Sequence, residues 1–332
     1  MSRNFRKSNF DVTRRRALSL GVTAVVAPLC NRAVASNTTP VRLIVPFSPG
    51  TGIDTVARAL EPRLAERLGR PFVVDNVAGA SGNIGTAQAA RAKPDGNTLL
   101  VTVNTFVMNT SLYRQVPYDP VKDFEPISQT SLGKLLLVAN PTAPSTTLDA
   151  FLAEAKSRPG LVQYASPGVG TPHHLAMALL EWQAGITLQH IPYKSTAGAV
   201  TDVLGGHVLY MFLPVHVALP HLRSKRLVAL AVGSANRLSQ LPDLPTFAER
   251  GLEKVIVDMW YGVLAPKGVP TEIVTRLNRD INEILEMPAV REAFAAQGML
   301  PAGSTPDAFA RTVRDDMQRW AEVIRRAKVS AD

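Results

Sequence analysis

The segment Val41-Arg-Leu-Ile-Val-Pro-Phe-Ser-Pro-Gly-Thr-Gly-Ile-Asp54 carries three structural signals in direct succession. Its opening run is mostly apolar and β-branched, which predicts a buried strand. A turn rich in proline and glycine follows, and apolar residues then recur every four positions from Val56 to Leu68, which predicts a helix. A strand that enters a helix through glycines leaves backbone N–H groups unpaired at the positive end of the helix dipole. Such a turn is suited to binding an anion.

The spacing of this turn excludes the common nucleotide-binding loops. A dinucleotide-binding motif requires a third glycine where Thr55 stands, and a P-loop requires a lysine that the turn does not contain. Without a lysine or an arginine beside the glycines, the turn favours a weakly charged group such as a carboxylate over a triphosphate. The alternative is a plain strand-to-helix turn in which Asp54 caps the helix.

Length and composition indicate an ordinary globular protein. The 332 residues are enough for about two domains with sizeable cores. Apolar residues make up 46% of the chain and charged residues 19%, which excludes a disordered protein. The net charge of +9 comes mostly from residues 1–35, which hold seven basic residues and one acidic residue. The remaining chain, with 29 basic and 26 acidic residues, has no charge signature of nucleic-acid binding.

Residues 1–35 have the pattern of an export signal. Thr13-Arg-Arg-Arg-Ala-Leu18 is similar to a twin-arginine motif, and the apolar stretch behind it is too short to span a membrane. Ala33-Val-Ala35 fits the rule for cleavage between small residues. Cys30 raises the alternative of a lipoprotein, but the small residues that a lipobox requires are missing before it. We therefore expect a periplasmic protein with the signal peptide cleaved after about Ala35.

The unit of strand, glycine turn and helix recurs along the chain. A second strand, Phe72–Asp75, leads into the glycine-rich segment 76–85, and a third strand, Thr98–Val103, is followed by Asn104. A further glycine loop, Ser166–Thr171, follows a strand in the second half. Alternating strands and helices predict parallel sheets, whose ligands bind outside the carboxyl ends of the strands. Both N-terminal glycine turns and Asn104 fall at that edge.

Prolines indicate where the chain passes between two domains. Pro141 and Pro144 mark the entry into a second domain, and Trp260–Pro266 is the expected return segment. We expect an export signal at residues 1–35, domain 1 at residues 36–137 plus about 257–332, and domain 2 at about 138–256.

Six short motifs extend this pattern over most of the chain. They are Pro46-Phe-x-Pro-Gly-x-x-Ile-Asp54-x-x-Ala-Arg58, Gly79-Ala-x-Gly82-Asn-Ile-Gly85, Gly168-x-Gly170-Thr-x-x-His174-Leu, Ile191-Pro-Tyr-Lys194, Leu241-Pro-x-x-Pro-Thr246 and Trp260-x-Gly-x-x-Ala-Pro266. In this order they resemble the motifs of the Bug-type solute receptors of tripartite tricarboxylate transporters, a family of periplasmic substrate-binding proteins. The resemblance covers about residues 38–332.

This resemblance implies a fold and a function. The fold would be α/β, the two-domain periplasmic-binding-protein (type II, Venus-flytrap) fold, with each domain a mostly parallel sheet flanked by helices. The function would be that of an extracytoplasmic receptor, not an enzyme, which binds a small carboxylate-bearing ligand in the interdomain cleft for uptake. The membrane subunits of a tripartite tricarboxylate transporter would be its partners. We expect a monomer that uses no cofactor, metal or nucleic acid.

The resemblance also implies which residues form the site. The two glycine loops of the first domain would hold one carboxylate, largely through backbone donors and water, and the second domain would close over the other end. The expected contacts in the first domain are Phe47, Ser48, Pro49, Gly50, Thr51, Asp54, Ala80, Ser81, Gly82, Asn83 and Asn104. Those in the second domain are Ser166, Gly168, Gly170, Thr171, Tyr193 and Lys194.

Three positions depart from the family pattern. Thr51 and Ser81 stand where the family usually has glycine, so both loops carry an extra hydroxyl. Some members have an acidic residue near Leu209, which favours ligands with an amino group, and the local sequence offers none. We therefore expect dicarboxylates or aromatic acids, rather than amino acids, as ligands.

Other functions stay open from the sequence alone. A receptor of this kind can also present its closed form to a membrane sensor kinase, and nothing in the sequence separates this role from transport. A periplasmic enzyme is the less favoured alternative. The six histidines show no metal-ligand spacing, and Ser81 does not lie in the G-x-S-x-G turn of hydrolases. Trp182 and Trp320 have helical spacing and are expected in the core rather than in a site.

Overall fold

The computed structural model describes residues 39–331. The export signal expected at residues 1–35, with its cleavage site, lies outside the described residues. Within residues 39–331, no helix combines the length and the apolar character that crossing a membrane requires.

Strands and helices alternate along most of the described range. The strands are β1 (Val41–Val45), β2 (Phe72–Asn76), β3 (Thr98–Val103), β4 (Phe124–Gly133), β5 (Leu135–Ala139), β6 (Gln163–Ser166), β7 (Gln189–Pro192), β8 (Tyr210–Pro214), β9 (Val228–Val232), β10 (Met259–Pro266) and β11 (Met299–Pro301). The helices are α1 (Gly52–Leu68), α2 (Asn83–Ala90), α3 (Thr105–Leu112), α4 (Leu148–Ser157), α5 (Pro172–Ala184), α6 (Thr196–Gly205), α7 (Val215–Arg223), α8 (Thr271–Leu285), α9 (Pro288–Ala296) and α10 (Pro306–Ala327).

The strands form two sheets. The first sheet has the order β11-β4-β10-β3-β1-β2, and the second has the order β7-β6-β8-β5-β9. We call the first sheet, with the helices packed on it, the first lobe. The second sheet with its helices is the second lobe. The chain enters the second sheet at Lys134, between β4 and β5, and returns to the first between β9 and β10. The domain boundaries expected from the sequence stay a prediction, because residues 38–332 cluster as one compact unit.

Both sheets are mixed, so the expectation of mostly parallel sheets is wrong. In the first sheet β1 runs parallel to β2 and β3, whereas β10 runs antiparallel to β3 and β4, and β11 antiparallel to β4. In the second sheet β6 runs parallel to β7 and β8, whereas β5 runs antiparallel to β8 and β9. Parallel pairing needs a crossover helix, and the parallel pairs fall in the runs from β1 to β3 and from β6 to β8, where helices connect the strands. Strands β4, β5 and β10 instead carry the chain between the sheets.

The last helix, α10, packs closely on the return strand β10. All eight residues of β10 are buried, and so are the apolar residues on one face of α10, namely Phe309, Val313, Trp320 and Ile324. The Phe309 ring lies over Gly262, where a Cβ atom would be 2.1 Å from Cζ of Phe309. Trp260 contacts the same ring edge-on, with 5.2 Å between ring centres. The absence of a side chain at Gly262 therefore decides how closely α10 approaches the first sheet.

We predict that Gly262→Ala destabilises the protein by about 1–3 kcal/mol, because the added methyl group overpacks the contact with Phe309. Urea unfolding of the wild type and the variant measures the difference. Gly198→Ala is the matched control, since a Cβ in that helical position meets its nearest atom at an ordinary 3.4 Å. A Gly262→Ala variant as stable as Gly198→Ala would contradict the close packing of α10 on β10.

Candidate functional site

Three strand-to-helix turns meet at one edge of the first sheet. Strands β3, β1 and β2 are parallel neighbours, and they lead directly into α3, α1 and α2. Because the carboxyl ends of parallel strands lie at the same edge, the loops Phe47–Thr51 and Ala80–Asn83 lie beside each other, with Asn104 at the end of β3. The residues of these loops that are exposed to solvent are Ser48, Pro49, Gly50, Ala80 and Ser81.

The two glycine loops touch each other through Phe47. Gly82 has a φ of +94°, which favours glycine, and a Cβ there would lie 3.0 Å from Cε2 of Phe47. Gly52, the first residue of α1, is packed in a similar way. A Cβ there would lie 2.8 Å from the hydroxyl oxygen of Tyr261. Glycine at these two positions lets the second loop pack on Phe47 and the start of α1 pack on Tyr261.

The helices at this edge begin without a side-chain cap. The N-cap residues of α1, α2 and α3 are Thr51, Gly82 and Asn104, and within the described residues no side chain at these positions accepts a capping hydrogen bond. The Thr51 hydroxyl instead donates to the carbonyl of Ser48, at 3.1 Å. A hydroxyl caps four of the other helices, α4, α5, α6 and α10, from Thr147, Thr171, Ser195 and Thr305. Among the described residues, helices α7, α8 and α9 also begin without a side-chain cap, at Pro214, Pro270 and Met287. The positive ends of three helix dipoles are therefore left for an external acceptor.

A buried carboxylate holds the first glycine loop in place. Asp54, which is 3% exposed, accepts hydrogen bonds from the Gly50 N–H at 2.9 Å, from Nε of Arg58 at 2.9 Å and from Nδ2 of Asn76 at 3.0 Å. Nδ2 of Asn76 also donates to the carbonyl of Phe47, at 3.0 Å. Burial by itself would raise the pKa of Asp54, but these hydrogen bonds outweigh it and the pKa lies below its ordinary value.

This network changes two expectations about the first loop. Asp54 does not cap α1, because Thr51 is the N-cap residue and Asp54 lies inside the helix. The Gly50 N–H is already bonded to Asp54, so the donors that remain for a ligand are those of the first turn of α1. A direct ligand contact by Asp54 stays a prediction, and the structure gives its carboxylate internal partners.

Side chains from α3 and the segment after it hold the second glycine loop. Nδ2 of Asn109 donates to the carbonyl of Ser81 at 2.9 Å and to Oδ1 of Asn83 at 2.8 Å. The hydroxyl of Tyr113 donates to Oγ of Ser81 at 2.9 Å, and that of Tyr118 lies 3.3 Å from Oδ1 of Asn83. These bonds support an unusual backbone, since Ser81 has a φ of +54°. These supporting residues were not predicted from the sequence, because no motif surrounds them.

Asn104 lies at the same edge with its hydrogen bonds incomplete. Its side chain is 1% exposed, and neither Oδ1 nor Nδ2 has a hydrogen-bond partner among residues 39–331. A buried amide without partners costs free energy. Asn104 therefore marks a point where water or a ligand completes the hydrogen bonding.

The third glycine loop lies at the carboxyl edge of the second sheet. Ser166 ends β6, and its Oγ accepts a hydrogen bond from the Gly168 N–H at 3.1 Å. Its carbonyl accepts one from the Tyr193 N–H at 2.9 Å. Gly170 has a φ of +73°, and a Cβ there would lie 2.9 Å from Cδ1 of Leu112 at the end of α3. The loop predicted to close over the ligand therefore contacts the first lobe.

The other predicted contacts of the second lobe differ in whether their side chains already have hydrogen-bond partners within the lobe. Thr171 caps α5 by accepting a hydrogen bond from the His174 N–H, at 3.4 Å. The Tyr193 hydroxyl donates to the carboxylate of Asp202, at 2.6 Å, and is engaged within the second lobe. Lys194 is exposed. The structure thus brings the loop Ser166–Thr171 and Tyr193 together on the neighbouring strands β6 and β7.

Two histidines at this edge were not among the predicted contacts. His173 and His216 are the second residues of α5 and α7, which follow the parallel neighbours β6 and β8. Both ring nitrogens of His173 are buried without a hydrogen-bond partner in the part of the chain that is described. Burial, with a smaller effect of His216, lowers the pKa of His173 to about 4, so the ring is neutral at pH 7. A Cβ at Gly298 of the first lobe would lie 2.8 Å from the backbone nitrogen of His216, so α7 begins against that lobe.

Leu209 lies away from this edge. It precedes the first residue of β8, and β8 runs parallel to β6, so Leu209 is at the edge opposite the loop that follows β6. The missing acidic residue at Leu209 therefore does not bear on the choice of ligand.

A cavity in the second lobe does not coincide with the glycine loops. It measures about 780 Å³ and lies in the second lobe, along β9 and the segment Gln240–Pro245. Its lining within the described residues is mostly apolar and contains none of the predicted ligand contacts. We retain the loop edge as the candidate site, because convergent backbone donors suit an anion better than an apolar wall does. No cluster of three or more potential metal ligands occurs in residues 39–331.

Known proteins resemble this chain over most of its length. A family model described as the tripartite tricarboxylate transporter family receptor matches residues 56–329. The protein BugT of Bordetella pertussis is 41% identical over 288 residues, which cover 86% of this chain and 88% of BugT. An R. palustris protein solved with adipate is 32% identical, with a TM-score of 0.77 and coverage of 88% of this chain and 98% of that chain. MatC from Rhodopseudomonas palustris, solved with bound malate, is 30% identical, with a TM-score of 0.73 and coverage of 86% and 98%. These likenesses confirm the predicted two-domain periplasmic-binding-protein fold.

We predict that Asp54→Asn destabilises the protein by about 2–3 kcal/mol at pH 7, because a charged acceptor of buried hydrogen bonds is lost. The folded-state pKa of Asp54 lies below the ordinary 3.8, so its stabilisation is complete above pH 3.8 and is lost as the pH falls through the folded-state value. The difference between wild type and variant in urea unfolding should therefore shrink toward pH 3.

The control for this prediction is Asp75→Asn, which removes the partly exposed ion pair with Arg42. We expect a loss of less than about 1 kcal/mol from it. Equal effects of the two substitutions would contradict the role of Asp54 in holding the loop.

Proposed function

Because this chain belongs to the family of tripartite tricarboxylate transporter receptors, we propose that it delivers a small carboxylate-bearing solute to the membrane subunits of such a transporter. The family comprises periplasmic solute-binding receptors rather than enzymes. For this chain we propose export through the signal at residues 1–35, with cleavage after about Ala35.

The uncapped starts of α1, α2 and α3 carry the proposal. Three helix N-termini at one edge present N–H groups and positive dipole ends. In the second lobe, hydroxyl side chains cap α4, α5 and α6, and α7 alone begins without a side-chain cap among the helices between β5 and β9. A carboxylate of the solute would accept hydrogen bonds from the first turns of α1 and α2. Asn104, at the start of α3, would complete its own hydrogen bonds with the same group or with a bridging water.

Backbone donors are sufficient for a working affinity. A hydrogen bond to a charged group contributes roughly 1.5–3 kcal/mol, and a helix N-terminus adds about 0.3–1 kcal/mol. Three or four such donors offset desolvation and leave a binding free energy of about −8 kcal/mol, which is a micromolar dissociation constant. The site does not depend on a buried arginine.

The far end of the solute would meet the second lobe. The two related structures were solved with adipate and malate, both of which have a second carboxylate, and we propose a dicarboxylate for this chain as well. His173 supports this choice, because its buried ring nitrogens are without partners in the described residues and a neutral imidazole can donate to an oxygen acceptor. Aromatic acids are the second class to test.

We predict that Thr51→Asp weakens binding of adipate and malate roughly tenfold or more, an effect of about 1.4 kcal/mol or more. The new carboxylate would cap α1 and occupy the donors that the solute uses. The same substitution should leave the ligand-free protein as stable as the wild type or slightly more stable, because aspartate is a favoured N-cap. Titration calorimetry and thermal unfolding of the same samples measure the two effects.

Thr147→Asp is the matched control, since it places the same residue at the cap of α4. We expect unchanged affinity from this variant. Wild-type affinity in Thr51→Asp would show that the solute does not bind at the start of α1.

We also predict that His173→Leu lowers the affinity for a dicarboxylate by about tenfold, because one hydrogen bond to a charged group is lost. The affinity for the monocarboxylate of the same chain length should stay within the error of the measurement. Calorimetric titration of both compounds gives the ratio. Equal losses for the two ligands would contradict a contact between His173 and the far carboxylate.

A further inference from the structure

We call the loop Ser166–Thr171 the closing loop. Two histidines of the second lobe form hydrogen bonds with it. Nε2 of His190 lies 2.6 Å from Oγ of the fully buried Ser166. Nδ1 of His174 accepts a hydrogen bond from the Gly170 N–H, at 3.0 Å. An imidazole nitrogen that accepts a hydrogen bond carries no proton, so His174 is in the neutral form with its proton on Nε2. The two ends of the closing loop are therefore each anchored to one imidazole.

The two imidazoles are stacked on each other. Their ring centres are 3.9 Å apart, with 13° between the ring planes, and Tyr164 lies parallel to His190 at 5.0 Å. Burial lowers the pKa of His174 to about 3, with a smaller effect of His190, and burial lowers the pKa of His190 to about 4. Two charged rings at this separation would repel each other strongly. The stack is therefore built for two neutral rings.

Other charged groups face the stack across a cavity of about 530 Å³ between α5 and the end of α10. Glu181 of α5 accepts a hydrogen bond from the Leu188 N–H at 2.7 Å, and burial raises its pKa. Arg326 of α10 lies over the exposed ring of Trp182, 4.4 Å from its centre, and pairs with Glu322. Neither charge is hydrogen-bonded to the imidazoles in the described part of the chain. The direct partners of the imidazoles are in the closing loop.

We propose that His174 and His190 are positioning residues, a stacked neutral pair that fixes the closing loop for solute binding without contacting the solute. The proposal rests on the proposed function and adds residues behind the site to those that face it. Because Gly170 also abuts Leu112 of the first lobe, a displacement of its anchor would change the surface that meets that lobe. Loss of either anchor should therefore weaken binding and leave most of the fold in place.

Paired amide substitutions test the geometry of the anchors. The amide oxygen of asparagine can replace Nδ1 of histidine, and the amide of glutamine can replace Nε2. We expect His174→Asn and His190→Gln to keep wild-type affinity for adipate and malate. The swapped variants His174→Gln and His190→Asn should bind adipate and malate about tenfold more weakly, because each loses one well-placed hydrogen bond. A general effect on stability would not produce this crossed pattern.

Hydrogen exchange gives a readout that needs no solute. The Gly170 amide should be protected in the wild type and in His174→Asn, and exposed to exchange in His174→Gln. If adipate, malate and the other carboxylates all fail to bind the wild type, the proposed function fails, and the exchange pattern still decides the positioning role. Equal affinities or equal exchange in the two variants at position 174 would overturn the inference.

The pH dependence of stability distinguishes a pair that must stay neutral from two rings that only fill space. The folded-state pKa values of His174 and His190 lie below the ordinary 6.5, so these residues bind protons in the unfolded chain first as the pH falls. The stabilisation by the pair is complete above pH 6.5 and is lost toward pH 4. The wild type should therefore lose stability in this range relative to the double variant His174→Asn/His190→Gln, which cannot titrate. Parallel profiles would contradict the requirement for neutral imidazoles.

Discussion

N–H groups that no side chain caps, at the starts of α1, α2 and α3, are the constraint on which the proposed site depends. Every helix begins with N–H groups that need acceptors, and a hydroxyl or a carboxylate at the N-cap often supplies one. Here Thr51 turns its hydroxyl to its own loop, Gly82 has no side chain, and the buried amide of Asn104 has no partner in the described residues. Since β3, β1 and β2 are parallel neighbours, the three starts lie at one edge of the sheet. An anionic solute can supply the missing acceptor.

The loops around this edge are held from behind before any solute arrives. Asp54 ties the first loop to α1 and β2, Asn109 ties the second loop to α3, and the stacked His174 and His190 tie the closing loop to the second lobe. Ordering a loop on binding costs conformational entropy, so a loop that is already fixed loses less affinity to this cost. In the proposed receptor, closure of the two lobes would follow from contacts that the solute makes only in the closed form. On this account the residues behind the site influence affinity as strongly as those that face it.

Local signals in the sequence were enough to place the glycine loops at one sheet edge, because a buried strand, a glycine turn and an amphipathic helix each leave a clear pattern. Contacts between distant segments of the chain leave no such pattern in the sequence. The sequence could not show that Asn76 bonds to Asp54, or that Asn109 supports Ser81, since these contacts depend on how separate segments meet. Spacing alone also misplaced Trp182, which is 38% exposed and carries Arg326 on its ring, whereas Trp320 is buried as expected. The mixed character of the sheets arises from strands that link the two lobes, a feature of topology rather than of residue pattern.

A crystal structure of the protein with a bound dicarboxylate, starting with adipate and malate, would decide whether the helix starts bind the solute. We expect one carboxylate at about 2.7–3.2 Å from N–H groups in the first turns of α1 and α2, the usual distance for such hydrogen bonds. A dicarboxylate bound instead along β9, in the cavity of about 780 Å³, would contradict the account. So would a carboxylate held by Lys194 or Arg58 with the helix starts left unoccupied.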